Sequence, residues 1–365
     1  MALPMRTWGK MPRTGEGARY QRRCKALKKV PRTGRRCHAP GCDWFMVVHL
    51  HRVSVCLESE AAVVRQCWQR LFAGWLGADS SAVQARLQLS VVEELPALPD
   101  LSPFFVDAAG LRDGVRLLAV YGWEGGVLLD YWGGARVQVP LAGGDPFVRG
   151  EVLPQALAYG RLEDITFTSL APCLRRHGFF LVHAFGVGRD GRCVLVVGPS
   201  GSGKTTTGLS LVLAGWELLA NDILLIESRP DGVYALPTPG GLSIREETLR
   251  LLPDCRSLVS DAAWAQGKYE LTNQQVLNGR RPDPRRVSAI YFCQVEERER
   301  AEIRPLSQAM TLARLMEQSV DRWDEAMLDR HVSVLQELSQ QVEAYSLRLG
   351  GDVWRLPELL AGGEG

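Results

Sequence analysis

The 365-residue chain has no apolar run approaching the roughly 18–20 residues that a membrane-crossing helix needs, so no membrane span is expected. Its N-terminus is basic but lacks the apolar stretch of a secretory signal. Neither charge is in large excess, the formal net being +2, which argues against a dedicated nucleic-acid binder. A disulfide framework is missing too. The nine cysteines (Cys24, Cys37, Cys42, Cys56, Cys67, Cys173, Cys193, Cys255 and Cys293) are odd in number and scattered, several of them inside apolar runs. Reduced thiols used as small hydrophobes have that distribution, and a cytoplasmic setting is expected. No internal repeat is present.

With 46% hydrophobic residues, the chain can build a large core, and its length suits two domains. The near-balance of charge hides an asymmetry. Residues 1–45 hold 12 of the 43 Lys and Arg but only 2 of the 41 Asp and Glu, Glu16 and Asp43. That segment has no hydrophobic period and reads as a basic disordered extension. Cys37, His38 and Cys42, with Cys24 upstream, supply one near-pair rather than the paired units of a zinc site, so zinc is not expected. Basic runs of this kind are more often solvated tails than nucleic-acid arms.

Met46 opens an alternating strand-like run, Met46-Val-Val-His-Leu-His-Arg-Val-Ser-Val55, and is an alternative start. From 46 to 150, a helix near Ala61–Gly77 and strands at Leu87–Val92, Val115–Tyr121, Val127–Tyr131 and Ala135–Val139 predict a small β-rich domain. Residues 151–355 alternate strands and helices, which predicts an α/β domain. Its strands are expected at Phe179–Val187, Arg192–Val197, Trp216–Ala220, Ile223–Glu227, Ser288–Val295 and Ala344–Leu349. Helices are expected at Lys204–Ala214, Leu306–Val320 and Glu325–Val342, and residues 356–365 are expected as a flexible tail.

The most informative stretch lies between the second of those strands and the helix after it. Val194–Val197 is wholly apolar, as a buried strand is, and Gly198-Pro-Ser-Gly-Ser-Gly-Lys-Thr205 follows it. This is the G-x-x-x-x-G-K-[ST] phosphate loop in the strand–loop–helix setting it requires. Gly198, Gly201 and Gly203 let the backbone curl, with Pro199, Ser200 and Ser202 between them, so that successive N–H groups point at phosphates. The helix N-terminus, including Thr206, adds its partial positive charge. Lys204 reaches the β- and γ-phosphates, and the Thr205 hydroxyl ligates Mg²⁺. The expected cofactors are therefore ATP and Mg²⁺.

The loop does not name the chemistry. A Leu-Ser-Gly-Gly-Gln signature is absent, the nearest string, Leu271-Thr-Asn-Gln-Gln275, lacking the glycines. An apolar run ending in Asp-Glu and an Asn-Lys-x-Asp string are absent as well. The flanks are more telling. His183-Ala-Phe-Gly-Val-Gly-Arg-Asp-Gly191 precedes the loop, and Gly215-Trp-Glu-Leu-Leu-Ala-Asn-Asp222 follows its helix. Together with Pro239-Gly-Gly-Leu-Ser-Ile-Arg-Glu-Glu-Thr248 and Pro305-Leu-Ser307, they resemble the HPr kinase/phosphorylase family. The resemblance extends to a broader set of HPr kinase-related proteins and covers about residues 165–350.

That resemblance implies the phosphoenolpyruvate carboxykinase-like α/β fold, a twisted mixed sheet with the loop at its edge. It implies ATP-dependent phosphoryl transfer to a serine of a protein or peptide. It leaves a homo-oligomer open. In the family the first acid of an Asp-Asp pair is the general base and the second helps hold Mg²⁺. Here the second is Asp222, which with Thr205 forms the expected metal pair. The first is Asn221, whose amide is not a useful proton acceptor. Asn221 can orient the acceptor hydroxyl while a neutral His183 takes the proton. Equally, the protein binds and slowly hydrolyses ATP, or only binds it. His183 has an ordinary alternative as a hydrogen-bonded strand residue, and His177 reads as surface. Arg245 and Lys268 are candidates for touching phosphate or acceptor, with solvated charge the ordinary alternative.

Overall fold

A computed structural model describes residues 44–77, 83–107, 118–141, 147–157, 161–265, 267–319 and 321–361, all of them within one compact unit. The basic segment 1–43, including Cys24, Cys37, His38 and Cys42, lies outside the described residues. So do 108–117, where the start of one expected strand fell, and 362–365.

The first sheet has eight strands: β1 (Phe45–Leu50), β2 (Val53–Glu58), β3 (Ala85–Val91), β4 (Phe105–Val106), β5 (Ala119–Trp123), β6 (Gly126–Tyr131), β7 (Ala135–Pro140) and β8 (Phe147–Val152). Their order is β1-β2-β3-β8-β7-β6-β5-β4, with β2, β3 and β8 mutually parallel and the rest antiparallel. The run from Met46 to Val55, which alternates as one strand would, is instead a hairpin. Leu50 pairs with Val53 across His51 and Arg52, and His51 takes the left-handed conformation at φ 57° that a two-residue turn requires. Helix α1 (Ala62–Leu71) buries Val64 and Trp68 beneath this sheet.

Helix α2 (Arg161–Arg176) follows, and twelve of its 16 residues are buried. Twelve more strands come after it: β9 (Phe180–Arg189), β10 (Arg192–Val197), β11 (Glu217–Ala220), β12 (Ile223–Arg229), β13 (Gly232–Leu236), β14 (Gly241–Arg245), β15 (Ala263–Ala265), β16 (Lys268–Thr272), β17 (Arg285–Arg286), β18 (Ala289–Val295), β19 (Glu302–Pro305) and β20 (Glu343–Leu349). Nine form a second mixed sheet, β17-β13-β12-β9-β10-β18-β20-β19, with β11 also paired to β9; β14, β16 and β15 form a small antiparallel sheet. In the large sheet the parallel pairings are β10 with β18 and β18 with β20. The protein is thus α/β with mixed sheets. Strand β10 is interior, between β9 and β18, so the loop after Val197 leaves the end of a central strand rather than a lateral edge. The reason is visible in its sequence, since Cys193 to Val197 are all buried.

Six further helices complete the unit: α3 (Lys204–Leu213), α4 (Glu246–Leu251), α5 (Asn273–Val276), α6 (Gln308–Ser319), α7 (Glu325–Gln341) and α8 (Leu356–Ala361). Along β9, Phe180, Val182 and Ala184 pack with Leu315 of α6 and Leu335 and Leu338 of α7. Phe185 and Val187 pack on the other face with Leu209 and Leu211 of α3. The segment expected as a tail forms α8, because Leu356 and Leu360 are apolar, four positions apart, and buried beside Leu347 and Leu349. One apolar cluster joins Val48, Val55 and Leu87 of the first sheet to Phe167 and Leu170 of α2 and to Leu225 and Leu236 of the second sheet. Its polar counterpart is Arg175, 1% exposed, which donates to Asp324 at 2.9 Å and Asp321 at 2.6 Å before α7.

His331 of α7 lies against the Phe180 ring, centroids 4.9 Å apart, with Nε2 unpartnered among the described atoms. Burial, aided by Arg175 and opposed by Asp324, lowers its pKa from 6.5 to about 4. Below the ordinary value the unfolded chain binds a proton that the fold does not, so stability falls as pH drops from 6.5 towards 4. At pH 5 this amounts to about 2 kcal/mol. In urea unfolding, His331→Leu is therefore expected to lose about 2 kcal/mol less than the parent protein between pH 7 and pH 5.

Candidate active site

The site is assembled around the middle of β9. On one edge, β10 pairs with it and ends at Val197, opposite Ala184. On the other edge the partner is interrupted. Strand β11 pairs Leu218 with Val187 and Ala220 with Gly186, with a bulge between, and β12 resumes with Ile223 opposite His183. The gap is Asn221-Asp222. Asp222 stands at φ 62°, a left-handed conformation that costs a non-glycine residue about 1 kcal/mol or more. The break turns Asn221 inward, at 2% exposed, while Asp222 stays half exposed, its side chain at 53%.

The loop leaves β10 at Gly198. A Cβ there would lie 2.5 Å from Ser202 Oγ and 2.8 Å from the Cys293 carbonyl of neighbouring β18, so no side chain fits. Gly201 and Gly203 lie at φ 83° and 97°, where glycine alone is unstrained. Pro199, Ser200 and Gly201 form an exposed tip, and Ser202 turns inward to sit 3.3 Å from Cys293 Sγ. Helix α3 then starts at Lys204 with Gly203 as N-cap and no side-chain cap. Its first-turn N–H groups, which ordinarily need partners, are left to an incoming acceptor. At its other end Gly215 N–H bonds Val212 O and Trp216 N–H bonds Leu211 O, the glycine C-cap expected from sequence.

Lys204 is 5% exposed. Its ammonium donates to the carbonyls of Gly198 at 2.8 Å and Pro199 at 3.3 Å and lies 3.9 Å from Asp222 Oδ1. Burial lowers its pKa, opposed by the Asp222 charge. His183 Nε2 is 3.4 Å from the same Asp222 oxygen. Burial in the recess would raise the Asp222 carboxyl, but His183, Lys204 and Lys268 outweigh it and hold it below the usual range. Thr205 Oγ1 points at Asn221 Oδ1, 3.5 Å away, and Thr206 Oγ1 pairs with Thr248 Oγ1 at 2.9 Å. His183, Lys204, Thr205, Asn221 and Asp222 therefore converge within one recess. Lys268 contributes charge to it, and Arg245 is its strand partner across β14 and β16. His177 is turned away, its Nδ1 on the Cys173 carbonyl at 2.9 Å.

A buried ammonium hydrogen-bonded to two loop carbonyls, beside helical N–H groups that no side chain caps, suits a polyanion. Among the described residues no cluster of three His, Cys, Asp or Glu is placed to hold a metal.

No family model matches the chain. HPr kinase/phosphorylase from Geobacillus sp. (strain WCH70) is 39% identical to it over 79 residues, 22% of this chain and 24% of that protein. Over that stretch the chain is related to HPr kinase/phosphorylase. Its match spans about a quarter of that relative's length. The structure of the HPr(Ser) kinase/phosphatase from Coxiella burnetii aligns with 49% of this chain and 90% of its own, at 10% identity and a TM-score of 0.25, too slight a likeness to relate the two folds.

The first turn of α2 also reaches the recess and was missed in the sequence. Glu163 accepts the Gly241 N–H. Asp164 faces solvent yet is hemmed in by protein, and that burial, with the Asp222 charge, raises its carboxyl to about 7. A usable signal existed: acids in the first turn and Arg175 and Arg176 in the last are how helix ends are charged. Pro172 inside the helix obscures it.

Asn221 Nδ2 donates to the Gly241 carbonyl at 2.9 Å. A carbonyl only accepts, so this edge of the side chain must carry hydrogens. Asn221→Asp would set a carboxylate oxygen against it, leaving two buried acceptors unpaired. The expected loss is about 1–3 kcal/mol of stability in urea unfolding; an unchanged midpoint would contradict the hydrogen bond.

Proposed function

We propose that the protein is an ATP- and Mg²⁺-dependent phosphotransferase of the HPr kinase-related kind, acting on a serine hydroxyl of a protein or peptide. The observation that carries this reading is the convergence of Lys204, Thr205, Asp222 and His183 on one recess at the end of β10. The family relationship supports it, and the relative's name points to a protein as acceptor. The reading includes a phosphate loop of the phosphoenolpyruvate carboxykinase-like type at Gly198–Thr205, a cytoplasmic location and a possible homo-oligomer. It also retains a β-rich N-terminal domain, 46–150, preceding the kinase-like domain, 151–355.

When bound, Mg²⁺·ATP supplies the transferable γ-phosphoryl group. The loop N–H groups and the start of α3 hold the phosphates, and Lys204 exchanges its two carbonyl partners for phosphate oxygens. Thr205 and Asp222 hold the metal. His183, resting against Asp222, is placed to take the proton of the acceptor hydroxyl. Asn221 holds geometry rather than a proton. Phosphoryl transfer depends mostly on positioning and charge neutralisation, so it tolerates this arrangement at some cost in rate.

A second reading is a nucleotide-binding regulator with little turnover, or an ATPase with water as acceptor. The Asn221–Gly241 hydrogen bond favours it, because that amide is committed to structure and cannot serve as base.

The test is incubation with γ-labelled ATP and Mg²⁺, alone and with lysate of the source organism. Label on a discrete protein or peptide, absent with Lys204→Ala, is the expected result. Tight ATP binding with neither transferred label nor released phosphate would establish the regulator. Unchanged ATP affinity in Lys204→Ala would overturn the loop assignment itself.

A further inference from the structure

The glycine pair Gly240-Gly241 lies between the recess and the buried start of α2, and it is gripped from three directions. Asn273 N–H donates to the Gly240 carbonyl at 2.9 Å, and Asn273 Nδ2 donates to the Thr238 carbonyl at 3.0 Å. Asn221 Nδ2 donates to the Gly241 carbonyl at 2.9 Å. Glu163 Oε2 accepts the Gly241 N–H at 2.9 Å. A Cβ at Gly240 would lie 2.5 Å from Glu163 Oε1 and 3.3 Å from Asn273 Nδ2, so the carboxyl approaches the backbone as closely as glycine allows.

The result is a continuous chain of contacts. Glu163 holds the N–H of Gly241, whose carbonyl belongs to the same residue and holds the Asn221 amide. The oxygen of that amide receives the Thr205 hydroxyl at 3.5 Å, and its nitrogen also lies 3.4 Å from Asp222 Oδ2. Both residues of the Thr205–Asp222 pair are therefore touched by one carboxamide whose orientation is set from behind.

Glu163 is a poor choice for stability alone. It is 7% exposed, it uses one oxygen on a single backbone N–H, and Oε1 has no partner among the described atoms. Burying a carboxyl with so few partners is costly. Burial and the neighbouring Asp164 push its pKa well above the usual carboxylate range.

Resting on the phosphotransferase reading, we propose that Glu163 is a positioning residue for this site. Through the Gly241 peptide it fixes the Asn221 carboxamide, and through that amide it fixes the Thr205 hydroxyl beside Asp222. The relay explains why Asn stands at 221: the position must donate to a carbonyl and accept from a hydroxyl at once, which a carboxylate does not do.

The test uses the full chain labelled with ¹⁵N-asparagine, the Asn221 side-chain NH₂ signal being assigned by its loss in Asn221→Ser. Glu163→Gln keeps an acceptor for Gly241 and is expected to leave that signal and phosphoryl transfer near those of the parent. Glu163→Leu removes the acceptor. It is expected to move the signal towards that of a free carboxamide and to lower kcat on the order of 10²-fold, as misplacement by about 1 Å does, with little change in the KM for ATP. Glu163→Asp, one methylene shorter, stands in if the leucine variant does not fold and is expected to shift both readouts in the same direction. An unmoved Asn221 signal in a folded Leu or Asp variant overturns the proposal, as does a loss of transfer that Gln fails to rescue. If the parent protein transfers no phosphate, the phosphotransferase reading falls by itself. The amide signal then still decides the relay, its shift supporting it and its constancy overturning it.

Discussion

Strand β9 needs hydrogen-bond partners along both edges, and only one of those edges can be served without a break. Strand β10 covers one side from Arg189 to Ala184. On the other, β11 and β12 share the length of β9 and leave Asn221 and Asp222 between them. An interior strand with an interrupted partner must satisfy the freed groups locally. Here the Ile223 N–H bonds the Asn221 carbonyl at 2.8 Å, while the Asn221 side chain reaches the Gly241 carbonyl and Asp222 takes a left-handed conformation at the mouth of the recess. Because His183 is the residue of β9 at which pairing resumes, the break also places that ring against Asp222.

The same constraint determines which charges meet. Lys204 starts the helix that follows β10, and Asp222 follows the strand beyond it, so chain reversal brings them from opposite sides of β9 to 3.9 Å. The separation is loose, and Lys204 is meanwhile held by the two loop carbonyls. Such an ammonium is desolvated but only partly compensated, a condition that favours exchange of weak neutral partners for a polyanion. The carboxyl groups around the recess diverge in character. Asp222 is held ionised by its cationic neighbours, while Glu163 and Asp164 are held towards the neutral form by burial. One recess thus contains carboxyl groups whose surroundings push them in opposite directions.

Much of the scaffold was legible because its elements carry strong periodic signals. The apolar run Val194–Val197, the helix closed by Gly215, and the helices within Leu306–Val320 and Glu325–Val342 all appear within a residue or two of their expected limits. Three features were not legible. The hairpin at His51-Arg52 is hidden because its strands are buried on both faces and no glycine or asparagine marks the turn. Helix α2 is hidden because it is buried nearly all round and interrupted by Pro172. The end of the chain reads as polar and glycine-rich, yet Leu356 and Leu360 find a groove beside Leu347 and Leu349 that no local pattern announces.

The sequence by itself determined the loop, since glycine spacing, a lysine and a threonine between an apolar strand and a helix are local requirements of a phosphate cradle. It also identified His183, Asn221 and Asp222 as residues to examine. The meaning of Asn221 was decided only by tertiary structure. Alone it reads as an aspartate that lost its charge. Packed against Gly241, which lies twenty positions on and is held in place by a glutamate from another helix, it is a group chosen to donate and accept together. Hydrogen-bond direction depends on which atom faces which across the fold, and that is a property of three-dimensional contact rather than of residue order.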